Sequence, residues 1–227
     1  MDASAQPPVF DLNAPWGRTR AYAHLIWSDH GFLRLGYQNA HWISDEMVRT
    51  NQPFPYQLEW WARRGIRTVV NLRGANGTGL HALERDACLR LGLKMEDFTI
   101  YSRAVPPRSQ ILAARDLFDR IRYPAIMHCK SGSDRAGIMS VFYLHFRKGL
   151  PIREALSQLS IRYGHMRAGL TGVLDYTFER YLQEAEPFGV SFIDWVQSEA
   201  YDAPAIEKEF RSNWWGRLMT EKILRRE

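Results

Sequence analysis

The stretch that most limits how this chain can fold is 124–148. It opens on a short apolar run, PAIMH, passes through CKSGSD, and enters a segment from Arg135 to Lys148 whose apolar residues recur at helical spacing until Gly149 and Pro151 close it. An apolar strand feeding a glycine-bearing loop and then a helix is a junction that belongs to α/β domains. The same alternation precedes it. PYQLEWWARRG (55–65) reads as a helix stopped by Gly65, and IRTVVNLRG (66–74) as a buried, β-branched strand. Residues 79–91 read as a helix ending before Gly92, and LKMEDFTI (93–100) as the next strand. Pro106 and Pro107 open another helix that runs to about Arg122. These elements predict an α/β fold with a central, mostly parallel sheet of about four to five strands, flanked by helices. Residues 152–227 read as largely helical, and no internal repeat is present.

The bulk properties exclude several classes. A length of 227 residues supports one compact domain with a full core and is short for two. Two cysteines, Cys88 and Cys129, are too few for a disulfide scaffold, so a reducing compartment is the expectation. No run approaches the roughly twenty apolar residues of a membrane span. MDASAQPPVFDLNAPWG lacks the basic start of a secretory signal, and residues 1–17 read as an arm over the surface. A cytoplasmic protein is therefore expected. The net charge of +5 suits anionic substrates, but the basic residues are spread without a run of five, so no nucleic acid partner is expected. None of the seven histidines falls in HExxH or comparable spacing, so no metal and no cofactor are expected.

The chemistry concentrates in MHCKSGSDRAG (127–137). A loop between a strand and a helix N-terminus turns several backbone N–H groups toward one point, and the helix dipole adds partial positive charge there. Gly132 lets the chain curl so that these N–H groups converge into an anion-binding nest. Arg135 adds a planar fork able to hold two phosphate oxygens. Cysteines at helix N-termini and beside cations are the reactive ones, because their thiolates are stabilised. A thiolate beneath a phosphate cradle is what in-line attack on phosphorus requires.

His128, Cys129 and Arg135, in the order H-C-x5-R after a strand and before a helix, resemble the signature of the cysteine-dependent phosphatases: protein tyrosine, dual-specificity and lipid-directed types. GIRTVVNLRG, followed by a helix, a strand and a second helix, is similar to the small atypical dual-specificity phosphatases. The resemblance covers roughly 30–182. It implies a catalytic domain over 18–187, with 188–227 as a helical C-terminal extension. It also implies that Cys129 is the nucleophile forming a phosphocysteine and that Arg135 binds the phosphate and stabilises the transition state. Lys130, Ser131, Gly132, Ser133, Asp134 and Arg135 would cradle the oxygens, and His128 would hold the loop and tune the thiolate.

Two positions depart from the common pattern. The residue after the arginine is Ala136, where a serine or threonine hydroxyl usually helps the thiolate leave; either slower turnover or help from Ser131 or Ser133 is expected instead. The loop that usually carries the general acid, YSRAVPP (101–107), has no acid, and Arg103 stands about where one is sought. Asp134 is the first candidate acid, by likeness to phosphoinositide phosphatases with Asp before the motif arginine; the competing reading is a loop-shaping partner for a nearby basic group. Asp97 is the second candidate, although alternation along its strand can turn it away from the site.

Lys130 and Arg103 enlarge the positive field and favour an inositol phosphate or a phospholipid headgroup such as phosphatidylglycerophosphate, while the family as a whole also admits a phosphotyrosyl protein. The expected function is hydrolysis of phosphate monoesters, and the alternative is a phosphate-recognising module with little turnover. The tail FRSNWWGRLMTEKILRRE is expected either to dock on the domain through Trp214 and Trp215 or to touch an anionic membrane peripherally, at its inner surface. Asn71 and Arg73 are expected to tie their strand end to the catalytic loop. Cys88 reads as a small core residue, with a regulatory disulfide to Cys129 as the alternative, and His165 reads as a surface or capping group.

Overall fold

The computed structural model of the protein describes residues 10–28, 30–34 and 36–224. Most of the N-terminal arm, 1–9, lies outside the described residues. The chain divides into two compact units. One holds the described residues up to Ile100 together with Ile121–Ala136, and the other holds Tyr101–Arg120 and the described residues from Gly137 onward.

The first unit carries a five-stranded sheet of β1 (His41–Trp42), β2 (Met47–Asn51), β3 (Thr68–Asn71), β4 (Lys94–Asp97) and β5 (Ala125–Cys129), in the order β1-β2-β5-β3-β4. β1 runs antiparallel to β2, and every other pairing is parallel. Every residue of β2, β3 and β5 is buried, whichever way its side chain points. That is the pattern of central parallel strands and the reason VV and AIM read as continuous apolar runs. β2 shows no such run: MVRTN has three polar residues in five, and its strand state rests on partners far away in sequence.

Three helices belong to this unit: α1 (Gly17–Ala23), α2 (Pro55–Ala62) and α3 (Gly79–Leu91). α2 starts where Pro55 presets a helical φ and the Gln57 side chain accepts from the Phe54 N–H at 2.8 Å. In α3 the Thr78 hydroxyl accepts from the His81 N–H, and Gly92 ends the helix at φ +68°. Leu58 and Trp61 of α2 and Ala87 and Cys88 of α3 pack with Val48, Val69 and Ile126 of the sheet. Ala21 and Leu25 close a second cluster with Phe54, Leu80 and Leu83.

The second unit contains α4 (Arg108–Arg120), α5 (Asp134–Phe146) from Gly137 on, α6 (Ile152–Ala155), α7 (Val173–Glu184), α8 (Phe192–Gln197) and α9 (Ala203–Leu224). Its core is aromatic. Phe192 is fully buried, with the rings of Phe142, Phe178, Tyr181 and Trp195 centred 5.2–6.2 Å away. Arg108 donates to the carbonyls of Val196 and Ser198 at 2.7 and 2.6 Å and so satisfies the C-terminus of α8. α9 buries Ile206 and Phe210, and Trp214 Nε1 donates to the Ala168 carbonyl at 3.1 Å. Trp215 lies outside the residues whose side chains are described. Among the described residues, no helix is long and apolar enough to cross a membrane.

Candidate active site

The carboxyl ends of β2, β5 and β3 meet in register. Asn51 pairs with Cys129, and both Thr50 and Asn71 pair with His128. In open α/β sheets this edge is where loops feeding helices collect ligands. Here the loop 130–133 leaves β5 and enters α5 at Asp134, so the loop stands at the N-terminus of that helix.

Cys129 is 2% exposed, and the Gly132 N–H donates to its Sγ at 3.2 Å. Gly132 adopts φ +79°, and a Cβ there would lie 2.7 Å from Asn51 N and 2.8 Å from the Thr50 carbonyl carbon. The position therefore excludes every other residue twice, by backbone conformation and by contact with β2. Outside the loop, Asn39 donates from Nδ2 to the Ser131 carbonyl at 3.1 Å and is itself held by His41 at 3.0 Å. Arg49, fully buried, donates from Nη2 to the carbonyls of Gly132 and Ser133 at 2.8 and 2.9 Å.

Arg135 stands in the first turn of α5, half-buried, and among the described residues it makes no hydrogen bond or ion pair. Its five donors are thus open to an anion. Asp134 opens α5 and is also half-buried. Lys130 is half-buried, Ser131 exposed and Ser133 buried. Ala136, which carries no hydroxyl, is fully buried.

His128 is fully buried. Its carbonyl accepts from the Leu72 N–H at 2.9 Å, and its Nε2 lies 2.5 Å from Glu84 Oε1, an ion-pair contact not aligned as a hydrogen bond. The other oxygen of Glu84 accepts from Gln52 Nε2 at 2.8 Å, and Gln52 in turn accepts from Arg73. This chain links the strand-end arginine of NLRG to the residue before Cys129. Asn71 takes another route: its Nδ2 donates to the Gly74 carbonyl at 3.0 Å and to Asp97 Oδ1 at 2.7 Å.

Asp97 ends β4, which is separated from β5 by β3, so its backbone stands two strand spacings, about 10 Å, from that of His128. His81 Nε2 lies 3.1 Å from both carboxylate oxygens and is the donor, because an ionised carboxylate only accepts. Burial pushes the Asp97 carboxyl up, but the hydrogen bonds from His81 and Asn71 and the charges of His81 and His128 outweigh it, so the group is held below the usual carboxylate range. A depressed folded value means that the ionised form stabilises the fold above the unfolded value, about 3.9, and that this is lost as pH falls through the lower folded value. Asp97→Asn should therefore lower the melting temperature at pH 7, with the gap to the wild type closing as melts are repeated from pH 4 toward pH 2. A gap independent of pH would show that the carboxylate charge is not what the site uses.

The loop 101–107 belongs to the second unit. Arg103 is exposed there, and its carbonyl accepts from Arg211 at 3.4 Å. His165, in the same unit, is buried with Nε2 2.7 Å from Asp175 Oδ2, so it is an interior partner of Asp175 rather than a surface group. Both cysteines are free, and Cys88 lies within the core of the first unit. Burial, followed by the charges of Glu84 and Asp97, pushes its thiol far up.

The sequence pattern did not reach Arg49, Asn39, Gln52 or Glu84. None of the four has a local signal: the strand that holds Arg49 shows no strand pattern, and the other three meet the site only through sheet pairing and helix packing.

The sequence matches no protein-family model and no curated protein. Solved structures are similar. TpbA of P. aeruginosa aligns at 19% identity with TM-score 0.51, over 67% of this chain and 88% of that one. Tk-PTP in its active form aligns at 22% identity with TM-score 0.50, over 63% and 97%. A Cys→Ser form of TpbA in complex with pTyr aligns at 20% identity with TM-score 0.50, over 66% and 86%. The fold is that of the protein-tyrosine-phosphatase-like phosphatases.

Proposed function

We propose that the protein hydrolyses phosphate monoesters through a phosphocysteine formed on Cys129. The observation that carries this reading is the Gly132 N–H donated to Cys129 Sγ at 3.2 Å, inside a loop that leads to Arg135, whose side chain makes no hydrogen bond or ion pair among the described residues. In the first step the thiolate attacks phosphorus, the ester P–O bond breaks, and the leaving oxygen takes a proton from Asp134. In the second step water attacks phosphorus and the S–P bond breaks. Asp134 recovers a proton from the water, and inorganic phosphate leaves. Arg135 and the amides of 130–135 hold the three non-bridging oxygens throughout, and His128, braced by Glu84, fixes the start of the loop.

Asp134 is preferred to Asp97 as the proton donor because it stands at the start of α5, next to Arg135 and five residues from Cys129, whereas Asp97 ends β4, two strand spacings from β5, and is held there by His81 and Asn71. Asp134→Asn is expected to lower kcat about 10²-fold on an aryl phosphate with a poor leaving group and less than about 10-fold on p-nitrophenyl phosphate, whose leaving group needs little protonation. Equal losses on both would assign Asp134 to loop shape instead.

The substrate is a phosphorylated protein tyrosine or a phosphorylated inositol or glycerol headgroup. The pTyr complex of TpbA supports the first, and the net charge of +5 with Lys130 in the loop supports the second. A panel of phosphotyrosyl peptides, inositol phosphates and phosphatidylglycerophosphate, with and without anionic vesicles, decides between them by kcat/KM. A single burst of product without steady turnover would favour the binding-module reading, for which Ala136 is the motive.

A further inference from the structure

Four consecutive carbonyls of the loop are held from the side of β2. Lys130 O accepts from the Gln52 N–H at 3.4 Å, Ser131 O from Asn39 Nδ2 at 3.1 Å, and Gly132 O and Ser133 O from Arg49 Nη2 at 2.8 and 2.9 Å. A trans peptide is planar and points its C=O and its N–H in opposite directions. Fixing a carbonyl therefore aims the N–H of the following residue the other way. The peptide between Ser131 and Gly132 shows this directly: Asn39 holds its carbonyl, and its N–H points at Cys129 Sγ. The next two peptides are the ones Arg49 holds, and their N–H groups belong to Ser133 and Asp134.

We propose that Arg49 is a positioning residue for the anion cradle: its guanidinium holds the carbonyls of Gly132 and Ser133 and thereby aims the N–H groups of Ser133 and Asp134 at the phosphate that Cys129 attacks. Arg49 has the means to do so. Its charge is permanent and its side chain is fully buried, so the field it sets behind the loop is little screened by water. Hydrogen bonds from a cation polarise the peptides that accept them and make the opposite N–H groups stronger donors. The mid-strand position in β2 fixes the guanidinium against the loop, because the register of Asn51 with Cys129 is set by backbone pairing.

This inference rests on the phosphatase reading, and the test separates the two. Inorganic phosphate binding is measured by calorimetry with Cys129→Ser protein, in which turnover plays no part, alone and combined with Arg49→Lys or Arg49→Met. The cradle predicts affinity weaker by about 10-fold with Lys and about 10²-fold with Met, in protein that keeps its far-UV spectrum. In the Cys129 background, the Lys variant should lower kcat on p-nitrophenyl phosphate by about 10²-fold with a smaller rise in KM, because misaimed amides cost most in the transition state. A merely structural arginine would lower the melting temperature and leave the phosphate affinity and kcat of the folded protein where they were. Unchanged phosphate affinity and kcat in the folded Lys variant overturn the proposal, and that variant decides if the Met variant fails to fold. Absence of phosphate binding in Cys129→Ser itself would instead overturn the phosphatase reading.

Discussion

Replacing Cys129 by serine is expected to lower hydrolysis of p-nitrophenyl phosphate by about 10⁴-fold or more while phosphate still binds. In the proposed mechanism the two halves of this result come from different parts of the site. Binding resides in the loop amides and in Arg135, which the substitution leaves in place, since a hydroxyl fits where a thiol did. Attack resides in Sγ, which the Gly132 N–H already addresses at 3.2 Å. A serine hydroxyl is a far weaker nucleophile than a cysteine sulfur, so the first step stalls with the ester bound. The companion measurement is intact mass after rapid acid quench: the wild type should carry one added phosphoryl group on Cys129 and the variant none. Cys88 supplies the internal control, because its thiol is kept protonated by burial and by Glu84 and Asp97, and Cys88→Ser should leave no less phosphoryl adduct on the folded protein. Cys129→Ser protein with near-normal turnover would remove the phosphocysteine from the mechanism.

How much of this was legible in the sequence follows from where the determinants lie. β3 and β5 are readable because TVVN and AIMHC are buried through and through, and because glycines or a proline bound them. α2, α3, α4 and α5 are readable from their stops and starts, at Pro55, Gly92, Pro107 and the loop before Asp134. β2 escaped because its last three residues are Arg49, Thr50 and Asn51, polar groups that do not favour the interior until partners are supplied from 127–133. β1 escaped because two residues carry no period. α1 escaped because GRTRAYA shows no apolar face of its own; Ala21 is buried by packing on Phe54, Leu80 and Leu83.

The site divides in the same way. The part proposed to face the anion is contiguous in sequence, from Cys129 to Arg135, so local chemistry points to it. Its supporting part comes from Asn39, Arg49, Gln52 and Glu84, brought in across the sheet and from α3, and single-sequence spacing holds no record of those contacts. Asp97 shows the limit for an acid: the residue type was right for proton transfer, but β4 ends there and His81 of α3 reaches it.

Replacing Arg135 by lysine should separate charge from shape at the phosphate. Arg135 sits in the first turn of α5, half-buried, with no hydrogen bond or ion pair among the described residues, so the substitution removes little that holds the fold and the melting temperature should hardly change. A lysine keeps the positive charge beside the cradle but replaces a planar fork with a single ammonium, which cannot hold two oxygens in one plane. Two oxygens must be held at once when the phosphoryl group flattens between the leaving oxygen and Cys129, more so than in the bound ester. The loss should therefore appear mainly in kcat, by about 10²–10³-fold, with a smaller rise in KM. Arg135→Ala removes the charge as well, and its additional cost should appear in KM and in weaker inhibition by inorganic phosphate. If Arg135→Lys raised KM alone and left kcat at the wild-type value, the fork would be serving ground-state binding, and the stabilisation of the transition state would have to come from the amides that Arg49 and Asn39 hold in place.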